Sequence, residues 1–134
     1  MPLPHTARLL HENTPLRVVC YGDSISEVGR SANWYGGATC REANWGSRLA
    51  GLLRAAYPGA EITVRHFGIG GQNAYEGLGR LDGLAAYTPD LVLVAFGAND
   101  TGWHPLPPEA TQLALHTIAQ WTTERYGADV MLMS

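Results

Sequence analysis

The chain has no lysine: all nine of its basic residues are arginine. It also has no basic run, and its net charge at pH 7 is −3. A slightly acidic chain without a cationic stripe is not expected to bind nucleic acid. The absence of lysine also removes the most flexible and strongly hydrated cations from its surface. Only two cysteines occur, Cys20 and Cys40, fewer than the framework of a disulfide-stapled secreted domain requires. Cys20 lies inside an apolar run and reads as a small buried hydrophobe. No stretch approaches the roughly 20 apolar residues of a membrane span. Residues 1–15 carry prolines and charges but no apolar segment of the kind a signal peptide needs. A soluble, cytoplasmic protein is the expectation.

What is present suits one globular unit. With 134 residues, 46% apolar and 16% charged, the chain can bury a single core and is not disordered in composition. Residues 1–15 read as an irregular lead-in and 16–134 as one domain. Leu16-Arg17-Val18-Val19-Cys20-Tyr21 is a β-branched run closed by Gly22 and reads as a first strand. Residues 27–43 read as a long loop. Asn44 caps a helix in which Trp45, Leu49, Leu52, Leu53 and Ala56 recur at helical spacing, ended by Pro58-Gly59.

Residues 61–67 alternate in polarity as a second strand, and residues 74–87 read as a weak helix interrupted by glycines. Leu91 to Phe96 is continuously apolar, as in a central parallel strand covered on both faces. Pro107-Pro108-Glu109 opens a further helix, with Ala114, Leu115, Ile118 and Trp121 on one stripe and Gly127 at its end. Residues 129–134 read as a fourth strand. Strands alternating with helices imply an α/β fold with a parallel sheet. Ending on that strand suggests a truncated fold, whose strand edge is open or faces a partner.

Three short motifs fall just past the first three strands, where parallel sheets bind ligands. They are Gly22-Asp23-Ser24, Gly68-Ile69-Gly70-Gly71 and Gly97-Ala98-Asn99-Asp100. A serine hydroxyl attacks an acyl carbon only when a base takes its proton, and the resulting oxyanion needs donors already in place. The backbone N–H of Ser24, the backbone N–H of Gly71 and the Asn99 amide could converge there. Glycine at 71 allows close approach, and asparagine is a donor that does not titrate. Asp23 and Asp100 read as loop-holding residues that accept backbone N–H groups.

Gly22-Asp23-Ser24, Gly71 and Gly97-x-Asn99-Asp100 resemble blocks I, II and III of the SGNH (GDSL) hydrolase family, over roughly residues 16–134. The resemblance implies a flavodoxin-like three-layer α/β/α sandwich and esterase, lipase or deacetylase activity. It implies Ser24 as nucleophile, with the N–H of Ser24, the N–H of Gly71 and the Asn99 amide as the oxyanion hole. The family's fourth block, Asp-x-x-His, supplies the base and its orienting carboxylate near the C-terminus. None of the five aspartates here is followed by histidine three positions later. Position 66 is His where the family often has Asn.

The histidines offer no clear replacement. His5 and His11 read as solvated, His116 as lying on the polar flank of a helix, and His66 as structural. His104 follows the Asn99 loop at the correct end of the sheet and reads as a substrate contact, a packing residue or a substitute base. Arg30, Trp34, Tyr35 and Trp103 either line an acyl or sugar pocket or cover the sheet edge. The glycines match neither a P-loop nor a dinucleotide fingerprint, so no cofactor is expected, and no metal.

The sequence therefore points to a serine hydrolase of carboxylic esters acting through an acyl-enzyme on Ser24. A small-molecule or O-acetylated carbohydrate ester is the suggested substrate, from the polar, aromatic loop and the lack of a long apolar lid. The chain alone is expected to lack its catalytic base, which would lie beyond residue 134 or on a partner at the open strand edge. The alternative is an inactive fragment, or a pseudo-hydrolase that binds an acylated ligand or another protein.

Overall fold

The apolar run at residues 16–22 has to bury both faces, and the fold places it at the centre of the sheet. The computed structural model describes residues 2–28 and 42–133. In it β1 (Leu16–Gly22) is flanked by β2 (Ile62–Gly68) and β3 (Leu91–Ala95), and β4 (Asp129–Leu132) follows β3, giving the order β2-β1-β3-β4. All three pairings are parallel. Along β1 only Arg17 is exposed. Side chains alternate across a strand, so Leu16, Val18 and Cys20 face one layer while Val19 and Tyr21 face the other.

The first layer contains α1 (Pro4–His11) and α2 (Trp45–Ala56), with Leu3, Leu9, Leu10, Trp45, Leu49 and Leu53 against the sheet. The opposite layer contains α3 (Ala74–Leu78), a 3₁₀ segment (Leu81–Tyr87) and α5 (Pro108–Tyr126), with Ala74, Leu84, Ala114 and Ile118 in the core. A short α4 (Ala98–Thr101) follows β3. The three-layer α/β/α sandwich is thus present.

Helix α1 corrects one expectation, since residues 4–11 are not irregular. Proline at the first helical position costs nothing, because that N–H has no intrahelical acceptor. The helix is held by burial of Leu9 and by the Thr6 N–H, which donates to Asp129 Oδ2 at 2.7 Å. His5 is likewise not simply solvated: its Nε2 lies 3.3 Å from Asp90 Oδ1, and Arg17 grips the same carboxylate through Nε at 2.8 Å and Nη2 at 2.9 Å. The expected weak helix at 74–87 is two pieces. Asn73 and Glu76 form a capping box that starts α3, and the chain turns at Gly79-Arg80 before the 3₁₀ segment. Asn44 caps α2 as expected, its side chain accepting the Gly46 N–H at 2.9 Å.

The register aligns Gly22 with Gly68 on one side and with Ala95 on the other. The loops that leave the carboxyl ends of β1, β2 and β3 therefore emerge side by side.

Candidate active site

Ser24 sits in the tight turn after β1. The turn is built around Asp23, whose side chain is 1% exposed. Its Oδ1 accepts the Ile25 N–H at 2.9 Å, its carbonyl accepts the Ser26 N–H at 3.1 Å, and its own N–H donates to Ala95 O at 3.4 Å. Burial pushes the Asp23 carboxyl above its ordinary value; the Ile25 N–H opposes the rise and the Asp100 charge adds to it. Asp23 is thus a structural acceptor that shapes the turn. The Ser24 side chain is half-buried, and nothing among the described residues hydrogen-bonds to its hydroxyl.

The loop after β2 is tied to that turn. The Ile69 N–H donates to Gly22 O at 3.0 Å, and the Gly70 N–H donates to Glu27 Oε2 at 2.7 Å. Gly68 is where close approach matters: a Cβ there would overlap the backbone of Asp23 and Glu27. At Gly71 the reason for glycine differs from the expected one. A Cβ would meet no atom of the described residues within 4 Å, but φ is +81°, a conformation L-residues rarely hold.

Asn99 lies in α4, beside that loop. Its Nδ2 donates to Gln72 O at 2.8 Å, and its carbonyl accepts the His104 N–H at 2.9 Å. One hydrogen on Nδ2 remains for another acceptor. Asp100 is buried and works structurally: both carboxylate oxygens accept the Ala74 N–H, at 3.1 and 3.2 Å, and Oδ1 takes the Thr111 hydroxyl at 3.0 Å.

A pattern emerges in the backbone donors. The N–H groups of Asp23, Ile25, Gly70 and Gln72 are all engaged. Between them, the N–H groups of Ser24 and Gly71 donate to nothing among the described residues. Both residues are half-buried, so a ligand can reach these groups. With the second amide hydrogen of Asn99, these N–H groups are the donors the sequence nominates that have no acceptor among the described residues.

His104 is exposed, and its Nδ1 lies 3.2 Å from Glu76 Oε2. The Asn73 N–H holds the Glu76 carboxyl below its ordinary value, and His104 adds to this. Trp103 is 75% exposed and leans on the His104 ring. A cavity of about 500 Å³ between α4, α5 and β4 is lined by Gly97, Asp100, Leu106, Leu115 and Leu132 among others, but not by Ser24, Gly71, Asn99, Trp103 or His104. Arg30, Trp34 and Tyr35 lie outside the described residues.

His66 is half-buried on β2, its Nε2 3.3 Å from Ser47 Oγ; burial holds it below its ordinary value, against the Ser26 backbone. Sequence reasoning missed Glu27, Gln72 and Arg80, which brace these loops. No motif marks them, because each acts through backbone atoms brought near only by the fold. No helix among the described residues is long and apolar enough to cross a membrane.

Comparison with known proteins gives a consistent picture. The family described as GDSL-like Lipase/Acylhydrolase matches over residues 20–133. No curated protein matches the chain. Among solved structures, the psychrotrophic esterase EstA from Pseudoalteromonas sp. is 28% identical, with a TM-score of 0.66, covering 90% of this chain and 58% of its own. TesA is 32% identical, with a TM-score of 0.65, covering 89% of this chain and 58% of its own. A two-domain esterase active on acetylated mannans shares the fold at 19% identity and a TM-score of 0.75, covering 96% of this chain and 33% of its own. The chain thus spans 58% of the length of EstA and of TesA.

Proposed function

The chain belongs to the GDSL-like lipase/acylhydrolase family, the SGNH hydrolases, and on that premise we propose that it carries the nucleophilic and acyl-binding part of a serine ester hydrolase. Ser24 Oγ attacks the acyl carbon of a carboxylic ester. The negative charge that develops on the acyl oxygen is received by the N–H of Ser24, the N–H of Gly71 and the Asn99 amide. The alcohol leaves, and water then attacks the acyl-enzyme and frees Ser24. The observation that carries this reading is the pair of unengaged N–H groups at Ser24 and Gly71, each between engaged neighbours. Each such donor is worth about 2.7–4 kcal/mol of transition-state stabilisation.

The base that accepts the Ser24 proton is assigned to none of these 134 residues. No Asp-x-x-His occurs in the sequence, and among the described residues no histidine hydrogen-bonds to the Ser24 hydroxyl. The base and its carboxylate are therefore supplied from outside residues 1–134, in a longer polypeptide or by a partner chain. The 134-residue chain alone has negligible turnover. For substrate, an O-acetylated carbohydrate ester remains the favoured class, supported by the polar, aromatic composition of residues 27–43.

A binding module without turnover is the second reading, favoured by the exposed Met131, Leu132 and Met133 on and just past β4. The experiment that separates the two is serine-directed labelling. The related EstA is inhibited by monoethylphosphonate, so a fluorophosphonate is a suitable probe. In the reaction an Oγ–P bond forms, fluoride leaves and the proton goes to a base, here imidazole added to the solution. Labelling at Ser24 supports the hydrolase. A chain that binds ester ligands equally well after Ser24→Ala, and is never labelled, is a binding module.

A further inference from the structure

Arg80 lies in the link between α3 and the 3₁₀ segment, a place no motif singles out. Its guanidinium reaches the loops from below. Nη2 donates to Gly22 O at 2.8 Å, Nη1 to Phe67 O at 3.0 Å and Nε to Gln72 Oε1 at 2.6 Å. Gly22 O ends the strand that presents Ser24, and it also accepts the Ile69 N–H. Phe67 is the penultimate residue of the strand that presents Gly71. Gln72 follows Gly71, and its carbonyl receives the Asn99 amide. One planar cation thus touches the supports of all three proposed oxyanion donors.

The plane of that cation is fixed. The guanidinium carbon stands 4.3 Å from the Tyr21 ring centroid, 4.5 Å from that of Phe67 and 5.9 Å from that of Phe96. These rings also pack on one another, Tyr21 against Phe67 at 5.4 Å and against Phe96 at 5.5 Å. The Arg80 backbone is pinned as well, its N–H on Gly77 O at 3.1 Å and its carbonyl under the Gly83 N–H at 3.0 Å. A lysine ammonium could supply charge here but not three diverging donors in one plane.

We infer that Arg80 is a positioning residue of this site, setting the spacing between the Ser24 turn and the Gly71 loop through its bonds to Gly22 O, Phe67 O and Gln72 Oε1. The inference rests on the reading of Ser24, Gly71 and Asn99 given above. Arg80 does not touch the ester; it fixes where the donors stand, and small displacements of such groups lower rates steeply.

The test compares wild type with Arg80→Lys and with Gln72→Ala, using amide hydrogen exchange and the rate at which a fluorophosphonate labels Ser24 in the presence of imidazole. In Arg80→Lys, which keeps an alkyl stem and a charge, exchange at Ile69 and Gly70 rises about tenfold and labelling slows by a similar factor. The core amides of Val19 and Val92 keep their wild-type rates. Gln72→Ala, which leaves Arg80 and the core intact, gives the same changes at smaller size and decides the matter where Arg80→Lys does not fold. Unchanged loop exchange and labelling in the folded variants overturn the inference. So does a uniform rise that includes Val19 and Val92, since that is lost global stability. Wild-type protein with no Ser24 adduct, while the loop amides still respond, overturns the nucleophile assignment instead and leaves Arg80 as a purely structural clamp.

Discussion

The Asn99 side-chain amide donates to the Gln72 carbonyl at 2.8 Å, joining the loop after β3 to the loop after β2. In the proposed reading Asn99 is therefore a brace for the neighbouring donor at Gly71 as well as a donor itself. Asn99→Ala removes both roles at once. In a catalytically competent form, kcat for 4-nitrophenyl acetate is expected to fall by about 10²–10³, the range for loss of one oxyanion donor. Asn99→Asp, which places an acceptor where a donor is needed, should do no better. A loss below tenfold in steady-state kinetics would remove Asn99 from the hole.

The two glycines of the second loop are predicted to fail differently. Gly68→Ala drives a Cβ into the backbone of Asp23 and Glu27, which cannot move without shifting the Ser24 turn, and should cost about 3 kcal/mol. Gly71→Ala has room, but its φ of +81° is unfavourable for alanine, at about 1–2 kcal/mol. Urea denaturation of the two variants checks the order.

Acid should destabilise the fold in two windows. Burial lowers the His66 pKa from 6.5, so the unfolded chain binds that proton first, and stability present above about pH 6.5 is lost as pH falls through the lower folded value. At Asp90 burial raises the pKa, but the bonds from Arg17 and His5 outweigh it, and the net shift is downward from 3.8. Its contribution is thus complete above about pH 4 and is lost on further acidification. His66→Gln should flatten the first window only. Asp90→Ala should remove the second and, by stranding the donors of Arg17, cost about 1–3 kcal/mol. Thermal unfolding between pH 3 and pH 8 tests both.

In a catalytically competent form, His104→Ala should lower activity by less than about tenfold, because among the described residues His104 makes no hydrogen bond to the Ser24 hydroxyl; loss of a general base costs about 10²–10⁴. A larger loss, with a pH profile that shifts in Glu76→Gln, would make His104 the proton acceptor.

Much of this arrangement is legible along the chain. The β-branched run before Gly22 and the apolar run before Gly97 announce central strands, because burial on both faces leaves no room for polar alternation. Ser24 and Asn99 are visible because each follows such a run, and Gly71 because it closes a glycine-rich turn after the alternating strand β2. Helix α1 is not legible, since its stability comes from Leu9 in the core and from Asp129 at the far end of the chain. The same holds for Arg80, Glu27 and Gln72. Their roles depend on carbonyls and N–H groups of other segments, and backbone atoms carry no sequence signature. The glycine at 71 was legible as a residue but not for its reason, which is a positive φ.

The central claim is that Ser24 is the nucleophile and that its base is not among these residues. The most direct measurement is the mass of the tryptic peptide Val18–Arg30 after exposure of the 134-residue chain to a fluorophosphonate, with and without imidazole. The account predicts an adduct on Ser24 that forms slowly alone and faster with imidazole. An adduct on Ser26 in place of Ser24, or none under either condition, would contradict it.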